Sequence, residues 1–333
     1  MKYLIVSDLH LKEKMGYADF VADGRKKEKE EVLNFIFAAS KGCDKVIFLG
    51  DQLNGRNNPS EVIREFVQFI EKFKQDIYIL AGNHEKVGDG KSAIDFMKEV
   101  KNKRWHIITN EIVEIDGDVF CPYFYKGELE CGTHEEASEK LLKMLPKGKN
   151  LFIHHAISGH NIKGIRTDDL NEIVLPRAKI TKMYENIFCG HIHTAYCDTK
   201  SNILYAGSIF AQEINEGPGY VYIMDDGKII ECILPGRSII KVEDPVTFKG
   251  FPKNSIIKLI LTKKPTENDL TSLKKELANY DGSILIEDYK TERKIIKFSD
   301  DDLNLEIGNL MAIYSKEKKI DLAKLQAGYD LIK

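Results

Sequence analysis

The sequence predicts an α/β fold followed by a smaller α+β domain, and three observations support this. Up to about residue 235, short β-rich runs alternate with amphipathic, helix-like segments, which is typical of a layered α/β domain. The main strand candidates lead straight into polar clusters, as strands do where an open α/β sheet binds ligands. At residues 235–236, a Pro-Gly pair interrupts the pattern, which then restarts with a new strand.

The first domain is predicted to span residues 1–235. Its strand candidates are KYLIV (2–6), KVIFL (45–49), IYIL (77–80), NLFI (150–153) and ENIF (185–188). Residues 26–39 and 60–73 place apolar side chains three or four apart, so they predict helices that pack on the sheet. Pro59 and Ser60 mark the second helix start, with the Ser hydroxyl available to an unpaired backbone N–H. Further along, Asp226-Gly227 predicts a hairpin.

The rest of the chain predicts a small α+β domain at 236–300 and a helical segment at 301–333. The small domain contains a strand at 256–261, a helix at 267–279 and a strand at 284–286. The last segment carries Leu, Ile and Met on one stripe, as two amphipathic helices would. A chain of 333 residues has room for more than one domain, because single cores rarely exceed roughly 250–300 residues.

Composition leaves the substrate class open but indicates a reduced, cytoplasmic protein. The net charge is −3, so no global basic excess points to nucleic acid. The six cysteines lie far apart without a CxxC pair, which argues against a zinc ribbon or a disulfide framework. The apolar run at residues 3–6 is too short for a signal peptide or a membrane span. We therefore expect a cytoplasmic location without membrane association.

Residue types that bind metals follow the strand candidates at five places. Asp8 and His10 come directly after the first strand, and residues two apart in an extended chain point the same way. Asp51 follows the second strand, where one carboxylate can bridge two cations about 3.5–4 Å apart. The other clusters are Asn83-His84-Glu85, His154-His155 and His191-Ile192-His193. Imidazole and carboxylate ligands together suit zinc, manganese or iron.

Together the five clusters resemble the calcineurin-like metallophosphoesterase superfamily, whose motifs D-x-H, G-D, G-N-H-D/E, H and G-H-x-H occur here in that order. The resemblance implies a layered β-sandwich flanked by helices, with a site for two divalent metal ions. One ion would be bound by Asp8, His10 and His193, the other by Asn83, His154 and His191, with Asp51 bridging. His84 would lie beside the scissile phosphate and stabilise the transition state or help protonate the leaving oxygen.

Some of these residues also have simpler structural interpretations. A single Asp such as Asp8 often caps a turn, and a His such as His84 can be a hydrogen-bonded turn residue. His154 and His155 compete for one ligand position, and the superfamily pattern selects His154. His155 is then either close to the substrate and ligands or a buried imidazole with its hydrogen bonds satisfied.

Outside the ligand set, structural roles are expected for most polar residues. Glu85 is expected to cap a turn or support a ligand, and His160 to contact substrate or belong to a loop. His106 and His134 lie outside the motifs and are expected to be structural. The mixed charges after Arg25 are typical of a solvated helix face, while Arg25 itself stays open as a phosphate contact.

The stretch from Gly50 to Glu85 looks like the SbcD-type DNA repair nucleases, in which the GD motif leads through a Pro-Ser helix start to the GNH strand. Serine/threonine protein phosphatases fit less well, because GDQLNGR replaces their GDxVDRG. The SbcD resemblance implies a DNA substrate and a capping domain at 236–300. It also implies that residues 301–333 bind an SbcC-like coiled-coil ATPase, in a homodimer of bacteriophage or bacterial type.

These observations predict a manganese-dependent DNA nuclease, an exonuclease or endonuclease, that serves DNA repair and recombination as a subunit of an SbcCD-like complex. Magnesium, zinc and ferrous iron are the alternative metals. The first alternative function is a cyclic-nucleotide or other small-molecule phosphodiesterase or phosphatase. The second is a non-catalytic metal-binding scaffold, against which the complete ligand set argues.

Overall fold

The computed structural model describes residues 1–88, 90–243, 251–280 and 282–287. The two helices predicted for 301–333 lie outside these residues. The α-helices are α1 Lys26–Ala39, α2 Ser60–Glu71, α3 His134–Met144, α4 Arg177–Ile180 and α5 Glu267–Leu277. The first strands are β1 Lys2–Val6, β2 Lys45–Phe48, β3 Asp76–Leu80, β4 Lys86–Gly88, β5 Lys91–Ser92, β6 Trp105–Ile108, β7 Val113–Ile115, β8 Asp118–Cys121 and β9 Asn150–Ile153.

The strands of the second half are short up to residue 205 and longer after it. They are β10 Ala156–Ile157, β11 Asn161–Ile162, β12 Ile165–Arg166, β13 Val174–Leu175, β14 Asn186–Cys189, β15 Tyr196–Asp198, β16 Ile203–Tyr205, β17 Tyr220–Asp225, β18 Lys228–Ile233, β19 Ile239–Glu243, β20 Ile256–Leu261 and β21 Gly282–Glu287. The fold is therefore mixed α/β, as predicted.

Two six-stranded sheets form the centre of the molecule. The first has the order β18-β17-β1-β2-β3-β6, in which β1, β2, β3 and β6 are parallel. The second has the order β15-β16-β14-β9-β8-β7, in which β16, β14, β9 and β8 are parallel. Aromatic rings of the two sheets stack between them, with Tyr78 of β3 only 4.5 Å from Phe120 of β8 between ring centroids. The sheets thus pack face to face as a sandwich.

Alternation along the strands explains why this sandwich has helices on its outer faces. In β1, Tyr3 and Ile5 belong to the core between the sheets, while Leu4 and Val6 belong to the core under α1 and α2. Successive side chains of a strand point to opposite faces, so a continuously apolar strand must be covered on both sides. On the second sheet, α3 provides that cover, with Leu141 in the outer core.

A third sheet follows the sandwich in the chain. It is three-stranded and parallel, in the order β19-β20-β21, with α5 between β20 and β21. The predicted strand, helix and strand are all present, whereas β19 was not predicted. The domain boundaries at residues 235 and 300 remain predictions. Among the described residues, none of the helices has the length and apolar character needed to cross a membrane.

Candidate metal centre

The candidate metal ligands lie in loops at the carboxyl ends of five strands, three from the first sheet and two from the second. The register pairs Val6 of β1 with Phe48 of β2, and Ile153 of β9 with Cys189 of β14. Strands that end level with one another send their next residues to the same edge. Residues more than 180 positions apart in sequence, such as His10 and His193, therefore meet there.

Four of the candidate ligands have left-handed backbone conformations. The φ angles are 47° at Asp8, 44° at His10, 54° at Asp51 and 78° at His191. Non-glycine residues rarely adopt positive φ, and where they do the surrounding structure must hold them. The strands thus end in tight turns that direct these side chains toward one point. The extended chain expected at Asp8 and His10 was therefore wrong, because both residues lie in such a turn after β1 has ended.

The first ligand group contains Asp8, His10 and His193. The Nε2 atoms of His10 and His193 lie 2.9 Å apart, and Asp8 Oδ1 is 3.8 Å from the former and 4.0 Å from the latter. One ligand atom from each of the three residues lies within 4.8 Å of the others. Asp8 and His10 are buried, and His193 forms the more open side. The group is small enough to hold one metal ion.

The second ligand group contains Asn83, His154 and His191. Asn83 Oδ1 lies 2.9 Å from His191 Nδ1 and 3.1 Å from His154 Nε2. Asp51 connects this group with the first, because its Oδ2 is 3.4 Å from His154 Nε2 and 3.8 Å from His10 Nε2. The arrangement therefore has two adjacent sets of donors with one carboxylate between them.

The electrostatics of the first group fit a divalent cation, whereas in the second group a metal ion would displace a proton: although burial opposes it, the carboxylates of Asp51 and Asp8 raise the pKa of His154 to about 9. Burial and the nearby Asp51 carboxylate raise the pKa of Asp8. Burial lowers the pKa of His10 to about 3, which leaves a neutral imidazole with a free lone pair. Deprotonated carboxylates and neutral imidazoles are the forms that bind metal. A cation would also relieve the repulsion between Asp8 and Asp51.

The chain is similar to a solved structure and matches a family model. A solved structure of an archaeal protein described as a novel phosphodiesterase aligns with 70% of this chain and 100% of its own, at 16% identity and a TM-score of 0.38. A family model described as calcineurin-like phosphoesterase matches residues 1–195, which is more than half of the chain. The chain belongs to the calcineurin-like phosphoesterase family. Members of that family depend on two metal ions, and this phosphoesterase has candidate residues to bind them.

The loops of the phosphoesterase site are held together by Glu85. Its carboxylate accepts the backbone N–H groups of Asp51, Leu53 and Gly82 at 3.0, 2.8 and 2.7 Å. Burial and the neighbouring Asp51 carboxylate raise the pKa of Glu85 to about 8. Glu85 thus fastens the loop after β2 to the loop after β3 and supports a ligand, which is one of the two roles expected for it.

His84 stands at the mouth of the site rather than inside it. Its side chain is 40% exposed, its Nδ1 lies 3.0 Å from the Asn54 carbonyl oxygen, and its Nε2 is 3.9 Å from Asp51 Oδ2. Its backbone N–H donates to Asp51 Oδ1 at 2.9 Å. The Asn54 contact accounts for Nδ1, so Nε2 is the nitrogen that faces the ligand groups.

Glu172 is a site residue that the sequence analysis missed. Both of its carboxylate oxygens lie 2.8 Å from Nε2 of His191, so His191 presents Nδ1 to Asn83. A carboxylate in that position fixes the tautomer and ring orientation of a metal-binding histidine. Glu172 lies between short strands, in the stretch DDLNEIV, which matches no motif. Only the fold brings it to His191.

His155 and His160 lie outside both ligand groups. His155 is buried, its Nε2 accepts the Phe124 N–H at 3.0 Å, and its ring stacks on Tyr123 at 4.7 Å. His160 is buried as well, with Nδ1 3.1 Å from the Ile157 carbonyl oxygen. Both therefore have structural roles. His154, which has its Nδ1 2.7 Å from the Leu49 carbonyl oxygen, is the one of the pair that faces the site.

Arg25, which was left open as a phosphate contact, is turned inward. Its side chain is fully buried and forms a two-point ion pair with Glu28, at 2.6 and 2.7 Å. It also donates to the carbonyl oxygens of Gly16 and Ala211. Arg25 therefore anchors the start of α1.

His106 stacks on Tyr78 and His134 is the first residue of α3, so both are structural, as expected.

Proposed function

We propose that this phosphoesterase is a nuclease that hydrolyses phosphodiester bonds of DNA with two divalent ions, of which manganese is the expected metal. The observation that carries the proposal is the position of Asp51 between two sets of donors. Two-metal hydrolases require such a bridging group between ions roughly 3.5–4 Å apart. A phosphodiester is anionic, so its attack by an oxygen nucleophile needs this concentration of positive charge.

The positions of the residues assign metal binding to seven of them and a catalytic role to His84. Asp8, His10 and His193 would hold one ion, Asn83, His154 and His191 the other, with Asp51 in contact with both. When bound, two such ions neutralise phosphate charge and lower the pKa of a water molecule. His84 has its Nε2 free at the mouth of the site, where it can stabilise the transition state or donate a proton to the leaving oxygen.

DNA as the substrate rests on the resemblance to SbcD-type nucleases, carried by the GDQLNG, Pro-Ser and GNHE elements. The presence of β19, β20, α5 and β21 after the sandwich supports it, because those nucleases carry a small α+β capping domain there. An exonuclease or endonuclease activity, a repair or recombination role, an SbcC-like ATPase partner and a homodimer belong to the same proposal. So does a cytoplasmic location.

A small-molecule or cyclic-nucleotide phosphodiesterase is the second candidate. It is favoured by a cavity of about 280 Å³ that His193 and Thr194 border, next to the first ligand group. That volume approaches the roughly 300–1,000 Å³ typical of ligand pockets. A soluble diester would place one substituent there and its phosphate over the ligand groups.

The test offers the purified chain three substrates: labelled single-stranded DNA, labelled duplex DNA and an aryl phosphodiester, each with manganese and with magnesium. The proposal predicts cleavage of DNA, lost in Asp51→Asn and retained in the control His106→Gln, which lies outside the site. Hydrolysis of the aryl diester without cleavage of DNA would favour a small-molecule phosphodiesterase. No hydrolysis with any divalent ion would favour a metal-binding scaffold.

A further inference from the structure

A cavity beside the first ligand group, here called the side cavity, has no role in the proposed metal chemistry. Its volume is about 280 Å³, and its lining includes His193, Thr194, Tyr196, Ser208 and Tyr220. Because His193 belongs to both the cavity and the ligand group, a phosphate over the metal ligands has the cavity as its immediate neighbour. A substituent of the scissile phosphate can therefore reach into the cavity.

The rings of Tyr196 and Tyr220 line the side cavity, and each packs against other aromatic rings of the protein. Tyr196 is half-buried and packs at 5.6 Å on His160 and at 6.5 Å on Tyr205, measured between ring centroids. Tyr220 is half-buried at the start of β17, with its ring 6.4 Å from that of Tyr222. Rings that are fixed on one side and open on the other are suited to stacking with a planar aromatic group.

The charges around the side cavity disfavour a second phosphate. Among the described residues that line it, Lys163 is the one lysine or arginine, against two carboxylates, Glu216 and Glu231. The Glu216 carboxylate accepts the backbone N–H groups of Gln212 and Glu213, at 2.6 and 2.9 Å, so it shapes the loop. A neutral planar group meets no electrostatic penalty there, whereas a phosphate would be repelled.

We propose that the side cavity binds the base of the nucleotide flanking the scissile phosphate, stacked against Tyr196 and Tyr220. This inference rests on the proposed nuclease function and names the form of its substrate. A base within a duplex must be unpaired and unstacked before it can enter a cavity, which costs free energy that an already unpaired base does not require. The preferred substrate class is therefore DNA that is single-stranded or frayed at the cleavage position.

The test compares two diesters with the same leaving group, thymidine 5′-(4-nitrophenyl) phosphate and methyl 4-nitrophenyl phosphate. We expect a KM about tenfold lower for the thymidine ester, as base–aromatic stacking implies. Tyr196→Leu and Tyr220→Leu should each raise that KM about tenfold, leave the methyl ester unchanged and retain the metal content. Tyr196→Phe keeps the ring and should behave as wild type, as should Tyr17→Leu, a half-buried tyrosine away from the cavity.

A binding measurement separates this inference from the proposed function. Chelator-treated protein is titrated into a fluorescein-labelled thymidine trinucleotide, and binding is followed by fluorescence anisotropy. Weaker binding by Tyr220→Leu or Tyr196→Leu, in variants with wild-type circular dichroism, supports the inference. Equal binding by wild type and both variants overturns it, as do equal KM values for the two esters. Failure to hydrolyse any diester refutes the proposed function, and the titration still decides the role of the cavity.

Discussion

At the scale of single residues, the site depends on which atom each side chain presents. His154 and His191 each have one ring nitrogen occupied by an oxygen of the protein, at 2.7 Å from Leu49 and 2.8 Å from Glu172. The other nitrogen of each ring lies within 3.1 Å of Asn83 Oδ1. The surrounding protein thus fixes the orientation of both rings, with one nitrogen of each directed at the second ligand group.

Replacing His84 tests the division between metal ligands and catalytic groups. We expect His84→Ala to lower kcat by about 10²–10⁴-fold, the range for loss of a general acid or base, with both metal ions retained. Metal content by mass spectrometry and kcat on an aryl diester are the measurements. Loss of one ion would make His84 a ligand instead, because its ring also lies within 4.8 Å of ligand atoms of His10 and Asp51.

Glu172 is expected to act on metal affinity through His191. Glu172→Gln removes the negative charge and weakens the hydrogen bond to Nε2 of His191. The ion in the second ligand group should therefore bind about 10–100-fold more weakly. Isothermal titration calorimetry of chelator-treated protein with manganese measures the affinity for each ion. The control is Glu185→Gln, an exposed carboxylate before β14. Unchanged affinity for both ions would refute a positioning role for Glu172.

Most of the proposed site residues could be predicted from the sequence, and one could not. Each proposed ligand sits in a motif that follows a predicted strand, and few residues in each motif are of a type that binds metal. The choice between His154 and His155 needed the superfamily pattern, because both imidazoles follow the predicted end of the strand at residue 153. Glu172 could not be predicted, because nothing in the sequence distinguishes it from the nearby Asp168 and Asp169 as the residue that contacts His191.

At the scale of elements, the strand ends are held in place by contacts between loops. Asp8 N–H donates to the Gly50 carbonyl oxygen at 3.1 Å, and His10 N–H to that of Asp51 at 2.9 Å. The loop after β3 approaches Asp51 so closely at Gly82 that any side chain there would collide with the Asp51 carboxylate and backbone. Glycine is thus required at that position for a steric reason.

Gly82→Ala should therefore destabilise the protein and displace Asp51. Overpacking typically lowers the free energy of unfolding by about 1–3 kcal/mol, and displacement of Asp51 should reduce the metal content as well. Gly55→Ala is the matched control, since a Cβ there meets no atom within 4 Å. Denaturant unfolding measures the first effect. Equal stability of the two variants would show that the loop after β3 can move away from Asp51.

The anchor of α1 predicts a pH dependence of stability. Burial opposes ionisation of Glu28, but its hydrogen bonds and ion pairs with Arg25 and Arg237 outweigh burial and hold its pKa below the ordinary value. A carboxyl whose pKa is depressed by folding stabilises above its unfolded pKa, about 4.3, and loses that contribution as pH falls through the folded pKa.

Glu28→Gln should accordingly lower the free energy of unfolding by about 3–5 kcal/mol at pH 7, because it breaks a buried ion pair. The difference from wild type should shrink as the pH falls below about 4. Urea unfolding across pH 3–8 measures it, with the exposed Glu30→Gln as control. A difference that is independent of pH would contradict the assigned ion pairs.

Element prediction succeeded where one apolar run met one clear boundary. The bounds of β1 and α1 were predicted to the residue, and α2 begins at Ser60 as expected. Pro59, however, occupies the N-cap position, and the Ser60 hydroxyl donates to the Glu61 carboxylate instead of capping the helix, so that detail was wrong. β19 was missed although the Pro-Gly pair at 235–236 precedes it closely, because the strand that restarts the pattern was placed at 256–261 and not at the short run IIKVE.

At the scale of the whole molecule, the decisive feature is that two sheets bring their strand ends to one edge. β1 lies between β2 and β17, and its residues 2–5 pair with residues 222–225 of β17. No local pattern predicts such a contact. The sandwich followed instead from the order of five motifs and their resemblance to a family. The net charge of −3 likewise says nothing about the substrate, because recognition depends on local surfaces beside the site.

Anomalous diffraction from crystals grown with manganese would locate the metal ions themselves. A dinuclear centre should give two peaks roughly 3.5–4 Å apart, one among Asp8, His10 and His193 and the other among Asn83, His154 and His191. The carboxylate of Asp51 should lie between the peaks and touch both. A single peak, or two peaks that share no Asp51 contact, would contradict a dinuclear phosphoesterase.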